Sequence, residues 1–95
     1  IVELQARIDA ALLLTWRSAT AKDNGEAYIL YAAEAKLVAS DVANDVCRVA
    51  VQFMCVYGYC REYGVERKLR YVKITEIYEG TSEVMKMVIA GALLR

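Results

Sequence analysis

Apolar residues in the first quarter of the chain recur with a helical period. Ile1, Leu4, Ile8, Leu12 and Trp16 fall every three or four residues, the spacing that places side chains on one helix face. Asp23-Asn24-Gly25 ends this segment, with glycine suited to a left-handed position after a helix. A long second segment runs from about Glu26 to Tyr57. Its polar stripe is Glu34, Asp41, Asp45, Arg48 and Gln52, and most other positions are Ala, Val or Leu. Two apolar faces flanking a narrow polar one predict a central helix. Gly58 to Gly64 reads as a loop carrying Tyr59, Cys60, Arg61, Glu62 and Tyr63. A third helix is expected from about Val65 to Tyr78, broken by Gly80. Thr81 or Ser82 can cap a fourth that runs to about Leu94. No stretch alternates with period two for long, and no internal repeat or low-complexity segment stands out. The expected fold is all-α, an antiparallel up-down four-helix bundle with turns near Gly25, Gly58–Gly64 and Gly80.

Composition adds a constraint to that pattern. Ninety-five residues make one domain, spanning 1–95, that buries roughly 60–65% of its unfolded surface. Yet 58% of residues are apolar, above the usual ~45–50%. The surplus predicts apolar surface left over for a partner, with a homo-oligomer expected. Formal net charge is zero, which suggests neither a nucleic-acid nor an anionic-membrane partner. The longest strong apolar run, Ala10 to Leu14, is far below the ~18–20 residues of a membrane span. No signal-peptide pattern is present, and a start at Ile1 rather than Met reads as a fragment or a trimmed chain. The expected location is cytoplasmic or the mitochondrial matrix, not secreted.

Candidate chemistry is sparse. Cys47, Cys55 and Cys60 lie 8 and 5 apart. That odd count without Cys-x-x-Cys argues for reduced, partly buried thiols rather than disulfides or zinc, so no metal site is expected. Histidine is absent, which excludes His-based triads. One carboxylate remains of interest. Glu79 sits between Ile77-Tyr78 and Gly80, and desolvation beside apolar neighbours would raise its pKa and suit it to act as a base. Read alone, it is a solvated turn residue before it is a base.

The surrounding string is more specific. Tyr78-Glu79-Gly80-Thr81-Ser82-Glu83 resembles the base-carrying segment of the FAD-dependent acyl-CoA dehydrogenases. Ala35-Lys36-Leu37-Val38-Ala39-Ser40 resembles a helix of the same family. Ala50-Val51-Gln52, Tyr57-Gly58-Tyr59, Arg61-Glu62-Tyr63 and Val65-Glu66-Arg67 follow in the family's order and spacing. The likeness runs from about Leu4 to Arg95 and falls in the family's C-terminal helical domain, starting partway into it. The family implies a further helix, an arginine-containing flavin loop, a β-barrel domain and an N-terminal helical domain upstream.

The resemblance implies α,β-dehydrogenation of an acyl-CoA thioester, with electrons passing to an electron-transfer flavoprotein. Glu79 would remove the α-proton, and its backbone N–H would bond the thioester carbonyl. Tyr78 and Gly80 would contact substrate; helix-end packing is the alternative for Tyr78. Thr81 and Glu83 would lie near the adenosine part of FAD, where they also read as a cap and an N-terminal charge. Gln52 would reach the FAD of a neighbouring subunit, or be an ordinary surface residue. Cys55 and Val56 occupy flavin-contacting positions that are commonly Gly-Gly in the family. Side chains there should obstruct backbone approach to a diphosphate. Cys60 stands for a common Thr, Gly64 for a common Pro, and Tyr71 for an Asp, which removes an acceptor for Arg70. FAD is thus expected in the full-length enzyme and not on this chain alone. The alternative is a helical assembly module, non-catalytic by itself. Its origin stays open among a divergent enzyme fragment, a paralogue with a decayed flavin site and an engineered bundle.

Overall fold

The computed structural model describes all 95 residues, and every regular element is helical. Helix α1 spans Val2–Asp23 and α2 spans Ile29–Met54. A single turn of helix, α3, covers Val56–Tyr59. A 3₁₀ turn at Arg61–Tyr63 leads to α4, Val65–Val72. A second 3₁₀ turn, Lys73–Glu76, precedes α5, Ser82–Leu93.

The connection after α1 forms as expected. Gly25 takes φ 72°. The N–H groups of Gly25 and Glu26 fold back onto the carbonyls of Lys22 and Ala21, at 3.1 and 2.9 Å. Those bonds commit Glu26 to ending α1, so α2 begins at Ile29 rather than near Glu26. It also ends early, at Met54 rather than Tyr57. Cys55 breaks it with φ 51° and ψ −129°, a conformation that cannot continue a helix. The segment expected as a loop at Gly58–Gly64 instead contains the end of α3 and a 3₁₀ turn.

The third helix is shorter than its pattern. It stops at Val72, not Tyr78. The Thr75 hydroxyl donates to the Val72 carbonyl at 2.6 Å, and the Asn44 amide donates to the same oxygen at 3.2 Å. Both bonds occupy a carbonyl at the helix end, where the backbone tightens into 3₁₀ geometry.

Helix α2 is central as expected, and α1 packs against it antiparallel. Arg7 pairs with Asp41 and Asp45 at 3.3 and 2.8 Å, and Arg17 with Glu34 at 3.9 Å. Falling numbers on α2 against rising numbers on α1 fix their antiparallel register. The small residues Ala11 and Ala21 of α1 and Ala33, Ala35 and Val42 of α2 are buried, which lets the helices approach closely. On the other side, Asn44 meets Val72 while Lys36 meets Gly80. Helices α4 and α5 therefore lie in succession along α2, sharing one antiparallel row.

That layout leaves much apolar surface open. Seven of 95 residues are buried, among them no large hydrophobic side chain except Val42. The radius of gyration is 15.5 Å, against about 12 Å for a compact chain of this length. The face of α1 turned to α2 carries Leu4, Arg7, Ala11, Leu14, Ser18 and Ala21. The apolar stripe Ile1, Ile8, Leu12 and Trp16 stays exposed, Trp16 by 56%. No helix is long and apolar enough to cross a membrane.

Candidate functional site

The segment around Glu79 is a short, tied-down turn. Lys73 and Glu76 form an ion pair at 2.5 Å inside the 3₁₀ turn. The N–H groups of Ile77 and Tyr78 both bond the Ile74 carbonyl, at 2.9 and 3.0 Å. The backbone then reverses through two left-handed residues, Glu79 at φ 55° and Gly80 at φ 97°. Gly80 has little choice there, because an L side chain rarely adopts a φ of 97°; the Met85 Cε that an added Cβ would meet at 2.6 Å can swing aside. Thr81 stops the turn as the N-cap of α5. Its hydroxyl accepts from the Val84 N–H at 3.2 Å, and its carbonyl accepts from Met85 at 2.9 Å. Either Thr81 or Ser82 was eligible from sequence; Thr81 is the residue that caps.

Glu79 itself is unengaged. Its carboxylate makes no ion pair or hydrogen bond, and the N–H groups of Glu79, Gly80 and Thr81 have no acceptor within the chain. The desolvation expected from Ile77 and Tyr78 is absent in this chain. All three side chains are exposed, Ile77 and Tyr78 by 52% each. The turn projects away from the body, so only groups outside these 95 residues can desolvate it. Glu76, three residues earlier, is held by Lys73, whose pKa is raised by that hydrogen bond and secondarily by charge, Glu83 included.

The other expected site residues form two groups. Tyr78, Gly80, Thr81 and Glu83 belong to the Glu79 turn and the first turn of α5. Thr81 and Glu83 border an open groove of roughly 690 Å³ with Leu37, Asp41 and Lys86; Tyr78 and Glu79 do not line it. Gln52, Cys55 and Val56 lie at the far end of α2 and are exposed. Lys36, opposite Gly80, and Gln52 are sixteen residues apart, roughly 24 Å along the helix at 1.5 Å per residue. The chain presents two separate edges and no enclosed cofactor pocket.

At the second edge the backbone and the side chain disagree. Cys55 takes the dihedrals of the first central residue of a type II′ turn, a position dominated by glycine. The Cys55 and Val56 side chains both project into solvent there, Val56 by 69%. Gly58, one turn on, packs tightly against α2. A Cβ on it would fall 2.6 Å from the Val51 carbonyl oxygen. Gly64 sits at φ 74°, a value closed to proline. Arg70, with tyrosine at position 71, finds its acceptor one turn earlier. Its Nε bonds Glu66 at 2.9 Å. The Glu66 carboxyl is held below its ordinary pKa by that hydrogen bond, and the Arg70 guanidinium is raised in turn.

Two residues at the Glu79 turn went unnoticed as site residues. Lys36 Nζ donates to the Gly80 carbonyl, and Asn44 Nδ2 reaches Val72 and Thr75. With Ser40 they form a second polar row on α2, where the pattern of apolar positions predicts only one. Their i, i+4, i+8 spacing was the available signal. No group of three or more Cys, Asp or Glu is arranged to hold a metal ion, and the three thiols are free.

Comparison with known proteins gives this geometry a context. The family described as "Acyl-CoA dehydrogenase, C-terminal domain" matches residues 1–94. The human mitochondrial short-chain specific acyl-CoA dehydrogenase is 46% identical over 95 residues, all of this chain and 23% of that protein. The caffeyl-CoA reductase-Etf complex subunit CarC of Acetobacterium woodii is 42% identical, again over the whole chain and 25% of its own length. Among solved structures, butyryl-CoA dehydrogenase from Megasphaera elsdenii superposes with a TM-score of 0.96 at 49% identity. That match covers 99% of this chain and 24% of the other. The chain spans about a quarter of the length of these relatives.

Proposed function

The chain belongs to the acyl-CoA dehydrogenase family, and we propose that it is the C-terminal part of an FAD-dependent enzyme that dehydrogenates an acyl-CoA thioester between its α- and β-carbons. The observation that carries this reading is the Glu79 turn. A carboxylate with no internal partner stands beside its own unbonded N–H on a backbone that α2 holds in place. A base must keep its lone pairs for the substrate, and a donor must keep its hydrogen for the developing oxyanion. Glu79 offers both from one residue. Its carboxylate takes the α-proton while its N–H bonds the thioester carbonyl, which acidifies that proton. A flavin bound in the full-length enzyme would supply the acceptor for the hydride that leaves the β-carbon. Tyr78 and Gly80, flanking the base, border the acyl group. The relatives named as short-chain specific support a short acyl chain.

The two edges divide the remaining roles. Thr81 and Glu83 serve the adenosine end of one cofactor, and Gln52 with the Cys55-Val56 turn serves a second copy's cofactor. Their separation of roughly 24 Å along α2 supports two partners rather than one. Alone, the chain holds no flavin stoichiometrically. The Acetobacterium relative, a subunit of an Etf complex by name, supports an electron-transfer flavoprotein as redox partner. The mitochondrial relative supports a matrix or cytoplasmic setting. A second reading has its own observation. The exposed stripe Ile1, Ile8, Leu12 and Trp16 suits an assembly face, through which these 95 residues pack against the rest of a homo-oligomer.

The test is rapid-mixing reduction of the flavin by acyl-CoA in the full-length enzyme. Glu79→Gln keeps shape and loses basicity, and is expected to slow reduction by at least ~10²–10⁴-fold. Glu76→Gln, at the residue paired with Lys73, leaves it near wild type. The reverse pattern assigns the base to Glu76 and defeats the proposal.

A further inference from the structure

We propose that Lys36, with Asn44, is a positioning residue that sets the aim of Glu79 through the backbone. The inference rests on the reading of Glu79 as the base. Glu79 has no side-chain contact to orient it, and its φ of 55° lies where a non-glycine residue is not at ease. Its direction is therefore inherited from the peptides on either side. Both ends of that stretch are tied to one row of α2. At the entry, Asn44 Nδ2 donates to the Val72 carbonyl at 3.2 Å and lies 3.4 Å from Thr75 Oγ1. At the exit, Lys36 Nζ donates to the Gly80 carbonyl at 2.5 Å.

The row is built rather than incidental. Lys36, Ser40 and Asn44 are spaced i, i+4, i+8, about 12 Å from end to end at 1.5 Å per residue. Ser40 Oγ donates to the Lys36 carbonyl and Asn44 Nδ2 to the Ser40 carbonyl, each at 2.8 Å. Ser40 is buried, while Lys36 and Asn44 are half-buried. Like Lys22, Arg61, Arg67, Lys68, Lys86 and Arg95, Lys36 has no carboxylate partner. It is set apart by donating to a main-chain oxygen, the Gly80 carbonyl. A half-buried ammonium spent on a main-chain oxygen, one residue past the base, fixes the plane of the Gly80–Thr81 peptide. Without it the Thr81 cap still holds the far side of that peptide, but the Gly80 carbonyl loses its only tie to α2, and the Glu79 carboxylate and N–H lose their common aim.

The test uses the full-length holoenzyme. Lys36→Met keeps the length of the side chain and removes the donor. The expected result is a 10- to 100-fold fall in flavin reduction by acyl-CoA, the scale of misplacing a reacting group by about 1 Å. Flavin content, acyl-CoA affinity and the melting midpoint stay near wild type, so the loss falls on kcat rather than KM. Lys36→Arg, which retains a donor of similar reach, restores most of the rate. An unchanged rate in Lys36→Met, or a loss that only tracks flavin content, overturns the proposal. If Lys36→Met does not hold flavin, Lys36→Arg is set against Lys36→Gln, whose arm is too short; equal rates for those two overturn it as well. Glu79→Gln separates the two ideas. Loss in that variant with an unchanged Lys36→Met defeats the positioning role alone, and retained rate in Glu79→Gln defeats the base assignment beneath it.

Discussion

Two turns in this chain hold a non-glycine residue at positive φ, Glu79 at 55° and Cys55 at 51°. They differ in what opposes the strain. The Glu79 turn is anchored by Lys36 at its exit, by Asn44 and Thr75 at its entry, and by the Thr81 cap just beyond. The Cys55 turn is held by backbone alone. Its N–H donates to the Gln52 carbonyl at 3.2 Å and its carbonyl accepts from Gly58 and Tyr59 at 3.1 and 3.2 Å, while no side chain from another element ties it and its neighbour Val56 projects into solvent. Strain persists where surrounding structure over-determines it, and such places favour function. By that criterion the first turn is the better candidate for chemistry, whereas the second places a cysteine in a backbone geometry that glycine favours.

The comparison can be broken at three points. The largest stability effect is expected at Gly58, which seats the Cys55 turn on α2. An alanine Cβ there meets the oxygen and Cα of Val51 at 2.6 and 2.9 Å, and backbone cannot step aside as a side chain can. Gly58→Ala should destabilise the full-length enzyme by about 3 kcal/mol, at the upper end of overpacking costs, read by chemical denaturation. Next comes Cys55→Gly, which should stabilise by about 1–2 kcal/mol by removing the strain. It should also improve flavin retention when combined with Val56→Gly. Glycine at 79 should gain less, because the side-chain ties on both sides of that turn offset its strain. Equal gains at both sites would erase the contrast. The smallest effect is expected at Thr81→Ala. Loss of the cap to Val84 should cost about 1 kcal/mol and leave the Cys55 turn untouched.

Much of this architecture was legible from residue order. The periodicity identified the helical segments, and Gly25, Gly64 and Gly80 marked real left-handed positions. The boundaries that failed did so where a side chain or a turn overrode the pattern. Apolar periodicity continued to Tyr78, but Thr75 and Asn44 closed α4 at Val72. It continued to Tyr57, but Cys55 could not stay helical there. The stripe on α1 was real in sequence and misleading about packing. Ala11 and Ala21 face α2, while Leu12 and Trp16 remain open. A hydrophobic pattern says that a face will be covered, not by which element. The base candidate came from the Tyr78–Glu83 string, whereas Lys36 and Asn44 were hidden by being polar residues in an otherwise apolar helix. Their role depends on which carbonyl lies opposite, and the sequence does not display that.

Reduction of the flavin reports proton and hydride transfer together, so a more direct measurement isolates the proton. Acyl-CoA incubated anaerobically in deuterium oxide with the full-length enzyme exchanges its α-hydrogen only if a base removes it, and deuterium incorporation is read by mass spectrometry. Wild type and Glu76→Gln should exchange at similar rates. Glu79→Gln should show no exchange above the enzyme-free background, since its amide cannot accept the proton. Exchange that survives in Glu79→Gln and disappears in Glu76→Gln would contradict the account, because the base would then stand on the 3₁₀ turn instead of at the reversal.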